Sequence, residues 1–509
     1  MEAPLPGKAA HCKIAIIGAG FSGLGMAINL RMAGEDDFIV FEREPRAGGT
    51  WWVNQYPGCA CDVASHLYCF SFEPYPYWPR MYASQPEIHA YLERCAAKYG
   101  IEPHLRLGTG ISEARFDEEN SRWQLKDEKG RSYTAQFLVS GIGALSKPAL
   151  PNIRGLGSFA GTFFHSQRWD HGYDLRGKRI AVIGTGASAI QFVPQIQPLV
   201  KRLDLYQRTA PWILPKLDRD MTAEEKRRFR FRPAMQQRLR SKIYWLNEIR
   251  VPGFYSFSPM LWLARKMAER HRLRQIPEPE LRRKATPNYT IGCKRILISN
   301  DYYPAICQPN VELITDPIEE ITETGIKTAG GRERDVDAII FGTGFNVAGI
   351  VPPGMIFGRG GIDLAGAWGT SPEAYKGTTV AGFPNLFMLL GPNTGLGHNS
   401  IVYMIEAQIA YVMAALDFMK RSGAQTFEVK DEAQREWNAW LQRKLSKTVW
   451  NTGGCRSWYL HPETGKNFAL WPGFTWRFRL IMRRFDPKAY RLRQAASIGK
   501  WAPAGRLSQ

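Results

Sequence analysis

Four short runs along the chain are almost wholly apolar and each closes on glycine: Lys13 to Ile17 before Gly18, Phe137 to Val139 before Gly141, Arg179 to Ile183 before Gly184, and Asp337 to Phe341 before Gly342. Strands without polar alternation are covered on both faces, as in a parallel sheet flanked by helices. Helical periodicity follows the first run from Phe21 to Met32, stops at Gly34, and gives way to a second strand, Phe38 to Phe41. The third run leads in the same way through a turn and a helix to the strand-like Arg202 to Tyr206. Two strand-turn-helix-strand units are therefore predicted. Trp123 to Leu125 and Ser132 to Val139 predict short strands around Glu128-Lys-Gly130, and Leu386 to Leu390 returns the chain to the first sheet. In the apolar stretch Ile401 to Met419, Glu406, Gln408 and Asp417 would each cost roughly a few kcal/mol at membrane depth, which predicts a helix buried in protein.

Lys216 to Lys284 breaks the pattern. It carries dense Arg and Lys, few glycines, and apolar side chains at mixed helical spacings, as in Tyr244-Trp245-Leu246 and Leu261-Trp262-Leu263. This predicts a helical insertion covering the substrate side, with no apolar face clean enough for deep insertion into lipid. The stretch from Gly48 to Asp62 is too rich in Gly, Pro and aromatics to predict regular structure. The tail from Trp437 holds Trp440, Trp450, Trp458, Trp471 and Trp476, which predicts an aromatic core or one wall of a pocket.

The two glycine turns carry the first chemistry. In Gly18-Ala-Gly20-Phe-Ser22-Gly23, the first glycine permits the tight turn, the second lets a pyrophosphate approach the backbone, and the third lets helix pack on strand. Glu42 lies nineteen positions after Gly23, where a carboxylate accepts hydrogen bonds from a ribose diol. In the second unit, Gly184-Thr185-Gly186-Ala187-Ser188-Ala189, the same offset from Ala189 lands on Arg208, with Thr209 beside it. A carboxylate there would repel a 2′-phosphate, whereas Arg binds one through charge-assisted hydrogen bonds. The second unit is therefore predicted to hold NADPH, with Gln191 on its helix among the contacts, and the first to hold FAD. The predicted class is α/β, with two Rossmann-like dinucleotide-binding domains and a helical insertion. The FAD domain takes 8–148 and 384–509, the NADP domain 149–215 and 286–383, and the insertion 216–285.

At 509 residues the chain exceeds a single hydrophobic core. Lys and Arg outnumber Asp and Glu by 67 to 47, and a net charge of +20 favours anionic partners: phosphate-bearing cofactors, acidic lipid or nucleic acid. No nucleic-acid motif accompanies the charge, so no nucleic acid is expected, and at most a weak peripheral contact with membrane. Met1 to Ala10 lacks the basic flank and apolar core of a secretory signal, which predicts a cytosolic product. Eight cysteines without a regular framework suit reduced thiols rather than disulfides. Cys59 and Cys61 have no second pair at zinc spacing, so no metal is expected.

The segment between the two units, Phe159-x-Gly161-x3-His165-x3-Trp169-Asp170, resembles the fingerprint of Baeyer–Villiger monooxygenases. Gly48-Gly49-x-Trp51-x4-Tyr56-Pro57-Gly58-x3-Asp62 is similar to a second fingerprint of that family, and Lys294-Arg295 resembles its lysine-arginine stretch. The resemblance implies a cycle in which NADPH reduces FAD, O2 adds to the flavin, and the flavin peroxide converts a ketone to an ester or lactone. It implies that Gly49, Thr50, Trp51 and Tyr68 contact the flavin and that Asp62 stands between flavin and nicotinamide. Lys294 would join Arg208 at the 2′-phosphate, and Arg295 would point at the flavin. A permanent cation suits this chemistry, because Arg does not hand a proton to the peroxide and also stabilises the oxyanion formed on the carbonyl. Arg295, Asp62 and His165 are the catalytic candidates, His165 chiefly in orienting NADP and coupling domain movement. Two alternatives stand beside this: an N- or S-oxygenating flavin monooxygenase, and a non-oxygenating redox or binding protein at the membrane surface.

Overall fold

The structure, a computed structural model, describes residues 10–494 except 256, 257, 348 and 462. The first nine residues and the last fifteen, and with them the reading of the N-terminus, lie outside the described residues.

The strand Ala10–Ile17 lies at the centre of an eight-stranded sheet, between Phe38–Phe41 and Ser132–Ser140, and is parallel to both. Ile14, Ala15 and Ile16 are at most 1 % exposed, which is why this run shows no polar alternation. Ser132–Ser140 continues an antiparallel meander of Ile111–Asp117 and Arg122–Asp127. Its last residues then pair in parallel with Leu386–Met388, so the chain rejoins this sheet after the whole second unit. The helix Ile401–Ser422 is long and apolar enough to span a membrane, yet it packs on the helix Phe21–Met32 with Val402, Met404 and Tyr411 fully enclosed.

A second, all-parallel sheet runs in the order Val311–Ile314, Arg202–Tyr206, Arg179–Ile183, Ala338–Phe341, Thr162–His165. An antiparallel trio, Ile318–Ile321, Gly325–Thr328 and Glu333–Asp335, interrupts its chain path. Between Tyr206 and the return of the chain to the parallel sheet at Val311 lie the helices Ala223–Phe231, Pro233–Glu248, Pro259–Gln275, Pro279–Lys284 and Tyr302–Ile306.

Two expectations change. The stretch expected to lack regular structure contains one helical turn, Thr50–Val53, seated on Gly49 with φ +53°. Cys293 and Cys455, expected as free thiols, form a disulfide with Cα atoms 6.2 Å apart; they lie 162 residues apart in sequence, so no local spacing announced the pair. The other six cysteines are free. The aromatic tail serves both ends foreseen for it, since Trp437, Trp440 and Trp471 pack ring against ring whereas Trp458 lines the cavity described below.

Candidate active site

Both glycine turns open into one cavity of about 1360 Å³. At the first turn, Gly18 adopts φ +96°, and a Cβ there would meet the Gly141 carbonyl oxygen at 2.7 Å. A Cβ on Gly23 would run into the Gly18 carbonyl, so helix and strand approach as closely as only glycine allows. The helix that follows has no side-chain cap, which leaves its first amides open to an anion. Glu42 directly follows the next strand, 8 % exposed, and its carboxylate accepts from Ala19 N at 2.7 Å and Glu44 N at 3.0 Å. Burial raises its pKa, and the two backbone amides oppose the rise. Gly18, Gly20, Ser22, Glu42, Gly49, Thr50, Trp51, Asp62 and Tyr68 all line the cavity, while Gly23 lies just behind. Trp51 donates through Nε1 to the Tyr68 hydroxyl at 3.2 Å, which fixes both rings.

Thr185, Gly186, Ala187, Ser188, Gln191, Arg208, Thr209 and Lys294 line the other end, and Ala189 is buried behind them. Burial, and after it the charge of Arg208, depress the Lys294 pKa. Lys294 Nζ lies 4.9 Å from the centre of the Tyr289 ring, and neither cation enters an ion pair among the described residues. Two unpaired cations on one cavity wall fit a dianionic phosphate.

Between the two ends stands Arg295. Its Nε and Nη2 donate to Asp62 Oδ2 at 2.8 and 2.6 Å, and its Nη1 donates to the Leu396 carbonyl at 3.5 Å. The Asp62 charge raises the guanidinium pKa above its ordinary value, outweighing desolvation. The side chain keeps 36 % exposure and lines the cavity. Sequence reasoning missed several partners here. Tyr459 is 2 % exposed, with its ring close enough to feel the Arg295 charge. Tyr56 donates to Gln191 Oε1 at 3.0 Å, tying the FAD-side loop to the NADP-side helix. These contacts join residues over a hundred positions apart and leave no local pattern.

The junction does not reach the cavity: no residue from Phe159 to Asp170 lines it. His165, 5 % exposed, closes the edge strand, accepts from Gln167 N at 3.1 Å through Nδ1, and packs edge-on against Phe345. It stands behind the cavity wall, one side chain removed, since Phe345 lines the cavity. Trp169 packs on Phe164 and Phe192, so the fingerprint builds the sheet edge. In the insertion, none of the described residues from 216 to 285 lines the cavity. It supports the wall from outside: Glu248, 1 % exposed, accepts from Asn399 Nδ2 at 2.6 Å and His398 Nε2 at 3.2 Å, on the loop that carries Leu396.

Two glycine turns, one addressed by a buried acid and the other by a pair of cations, define a flavoprotein that takes electrons from a second dinucleotide. Residues 11–259 match the family of flavin-binding monooxygenase-like proteins. The chain is 60 % identical to a Baeyer–Villiger monooxygenase of Pseudomonas aeruginosa, over 96 % of this chain and 93 % of that one. It is 45 % identical to a Baeyer–Villiger monooxygenase of Streptomyces coelicolor over the same shares. Among solved structures, a closed cyclohexanone monooxygenase superposes with a TM-score of 0.86 at 26 % identity, covering 96 % of this chain and all 100 % of that one. A steroid monooxygenase bound to NADP superposes with a TM-score of 0.84 at 29 % identity, over the same shares. The chain belongs to the Baeyer–Villiger monooxygenase family.

Proposed function

We propose that this enzyme uses FAD, NADPH and O2 to convert ketones to esters or lactones, with Arg295 as the fixed cation of the reaction. The observation that carries the assignment is the Arg295–Asp62 pair, set in one cavity between the two glycine turns. FAD, reduced by NADPH, supplies the oxygen-transferring chemistry when bound. The open amides of the first helix would hold its pyrophosphate, and Glu42 its ribose. Arg208, Thr209 and Lys294 would hold the 2′-phosphate of NADPH. Arg295 would donate to the carbonyl oxygen of the ketone, where negative charge develops as the carbon is attacked. Its raised pKa keeps the proton in place, and Asp62 fixes the direction in which its donors point. An amine or sulfide oxygenation has no carbonyl oxygen for this cation to receive. We infer further that the enzyme works in the cytosol and that any membrane contact is peripheral.

Linear, cyclic, aryl and steroid ketones, offered with NADPH and O2 and followed by product mass, test this reading. Ester or lactone formed in step with NADPH oxidation is the expected result. Oxygenation of amines or sulfides alone, or NADPH oxidation that no ketone stimulates, would overturn it.

A further inference from the structure

The helix Pro233–Glu248 is inside out. What it buries is polar: Gln236, Arg240 and Glu248 are 4, 6 and 1 % exposed. Each is held by specific hydrogen bonds. Gln236 Nε2 donates to the Tyr75 carbonyl at 2.7 Å, and Arg240 Nη1 donates to the His66 carbonyl at 2.9 Å. Glu248 Oε1 accepts from Thr475 Oγ1 at 2.7 Å, and its Oε2 from Thr475 N at 2.9 Å. What the helix end presents to solvent is apolar, with Trp245, Leu246 and Ile249 at 58, 54 and 63 % exposure. The next long helix, Pro259–Gln275, repeats this with Trp262 and Leu263 at 62 and 56 %.

These side chains belong to one neighbourhood. The 3-10 turn Val251–Phe254 joins the two helices and packs on the second. The helix Thr475–Met482 is tied to the first by Tyr244, whose hydroxyl lies 3.0 Å from Thr475 Oγ1. Isolated exposed apolar residues need no explanation, but five large ones where two helices meet at one short turn form a surface. The polar anchors hold the helix so that these residues cannot turn inward. The sequence reading sought an apolar stripe along one helix and found none, because the patch is assembled at the meeting of helix ends.

The charge around the patch selects its occupant. From 233 to 275 the chain carries nine Lys and Arg against two Glu; Arg240 and Arg272 are buried and Arg265 and Lys266 pair with Glu269, which leaves five exposed cations outside any ion pair among the described residues. Lys242 and Arg250, next to the exposed tryptophan and isoleucine, enter no ion pair among the described residues. A second copy of the chain docked face to face would set these cations against themselves. Anionic headgroups complement them, while Trp and Leu reach the level of the acyl boundary.

We propose that this face docks the enzyme on an anionic lipid bilayer. The proposal deepens the peripheral contact inferred above and names its surface; ketone oxidation in buffer free of vesicles tests the enzymatic reading separately. The holoenzyme is floated with vesicles of phosphatidylcholine alone, or of equal parts phosphatidylcholine and phosphatidylglycerol, at low and high salt. It partitions to the anionic vesicles, less so at high salt, and not to phosphatidylcholine. The double variant Trp245→Ser, Trp262→Ser lowers that partition by about tenfold or more and leaves oxidation of a water-soluble ketone unchanged. No binding to anionic vesicles, or equal binding by parent and variant, overturns the proposal. A parent dimer in sedimentation velocity that the variant splits also overturns it, since a second copy would then own the face.

Discussion

The two dinucleotide turns follow one backbone plan and differ at two places that decide fit and charge. In the first, Gly23 sits so close to the Gly18 carbonyl that a Cβ has no room. In the second, Ala189 holds the same position, fully buried, and the residue facing it is Gly342, where a Cβ would meet the Ala189 methyl at 3.2 Å. The first unit has glycine on both sides of this contact, Gly23 and Gly141, whereas the second carries a methyl on its helix side. The second difference lies at the strand end. Glu42 is buried with both oxygens bonded to amides, whereas Arg208 is exposed and shares its surroundings with Lys294. A neutral diol is read by a preoriented buried acceptor, and a doubly charged phosphate by cations that wait unpaired.

The largest expected effect breaks the first turn. Gly23→Ala forces a backbone clash that no rotamer relieves, and the protein should purify with little or no FAD, as read from flavin absorbance per mole of protein. Next comes the charge. Arg208→Ala should raise the Michaelis constant for NADPH by about 10- to 150-fold, for a loss of roughly 1.5–3 kcal/mol, and leave that for NADH nearly unchanged. Equal losses with both would show that Arg208 does not read the phosphate.

Lys294 sharpens the same point through pH. Burial and Arg208 lower its pKa in the free enzyme, and a bound 2′-phosphate would raise it again. Its contribution is then complete below the free-state pKa and fades as pH climbs through the bound-state one. The Michaelis constant for NADPH should therefore rise by a few-fold at alkaline pH while that for NADH stays flat. Lys294→Arg, which does not titrate there, should abolish the rise. The smallest effect falls on the second turn: Gly342→Ala needs the Ala189 methyl to give by tenths of an ångström, and should cost no more than about 1 kcal/mol in thermal unfolding, with FAD content unchanged.

Both turns, Glu42, Arg208 and the strands feeding them were legible in the sequence because each is a local pattern of glycine, apolar run and fixed offset. The Arg295–Asp62 pair was legible only through family resemblance, since 233 residues separate its members. The contacts that escaped are all of that kind: the disulfide beside Lys294, Glu248 reaching Asn399 and Thr475, and Tyr56 reaching Gln191. The junction carried the family resemblance in its spacing, while its place in the fold, an edge strand packed behind the cavity wall, was not legible there.

The central claim is that a cation held by Asp62 between the two turns serves oxygen transfer and is not needed for electron transfer. Stopped-flow absorbance of Arg295→Ala, mixed anaerobically with NADPH, measures flavin reduction alone; the same variant with O2 and a ketone, followed by product mass, measures the second half. Reduction should persist, while ester or lactone formation falls by on the order of 100-fold or more, and Arg295→Lys should not restore it. Ester made by Arg295→Ala at near the parent rate would contradict the account.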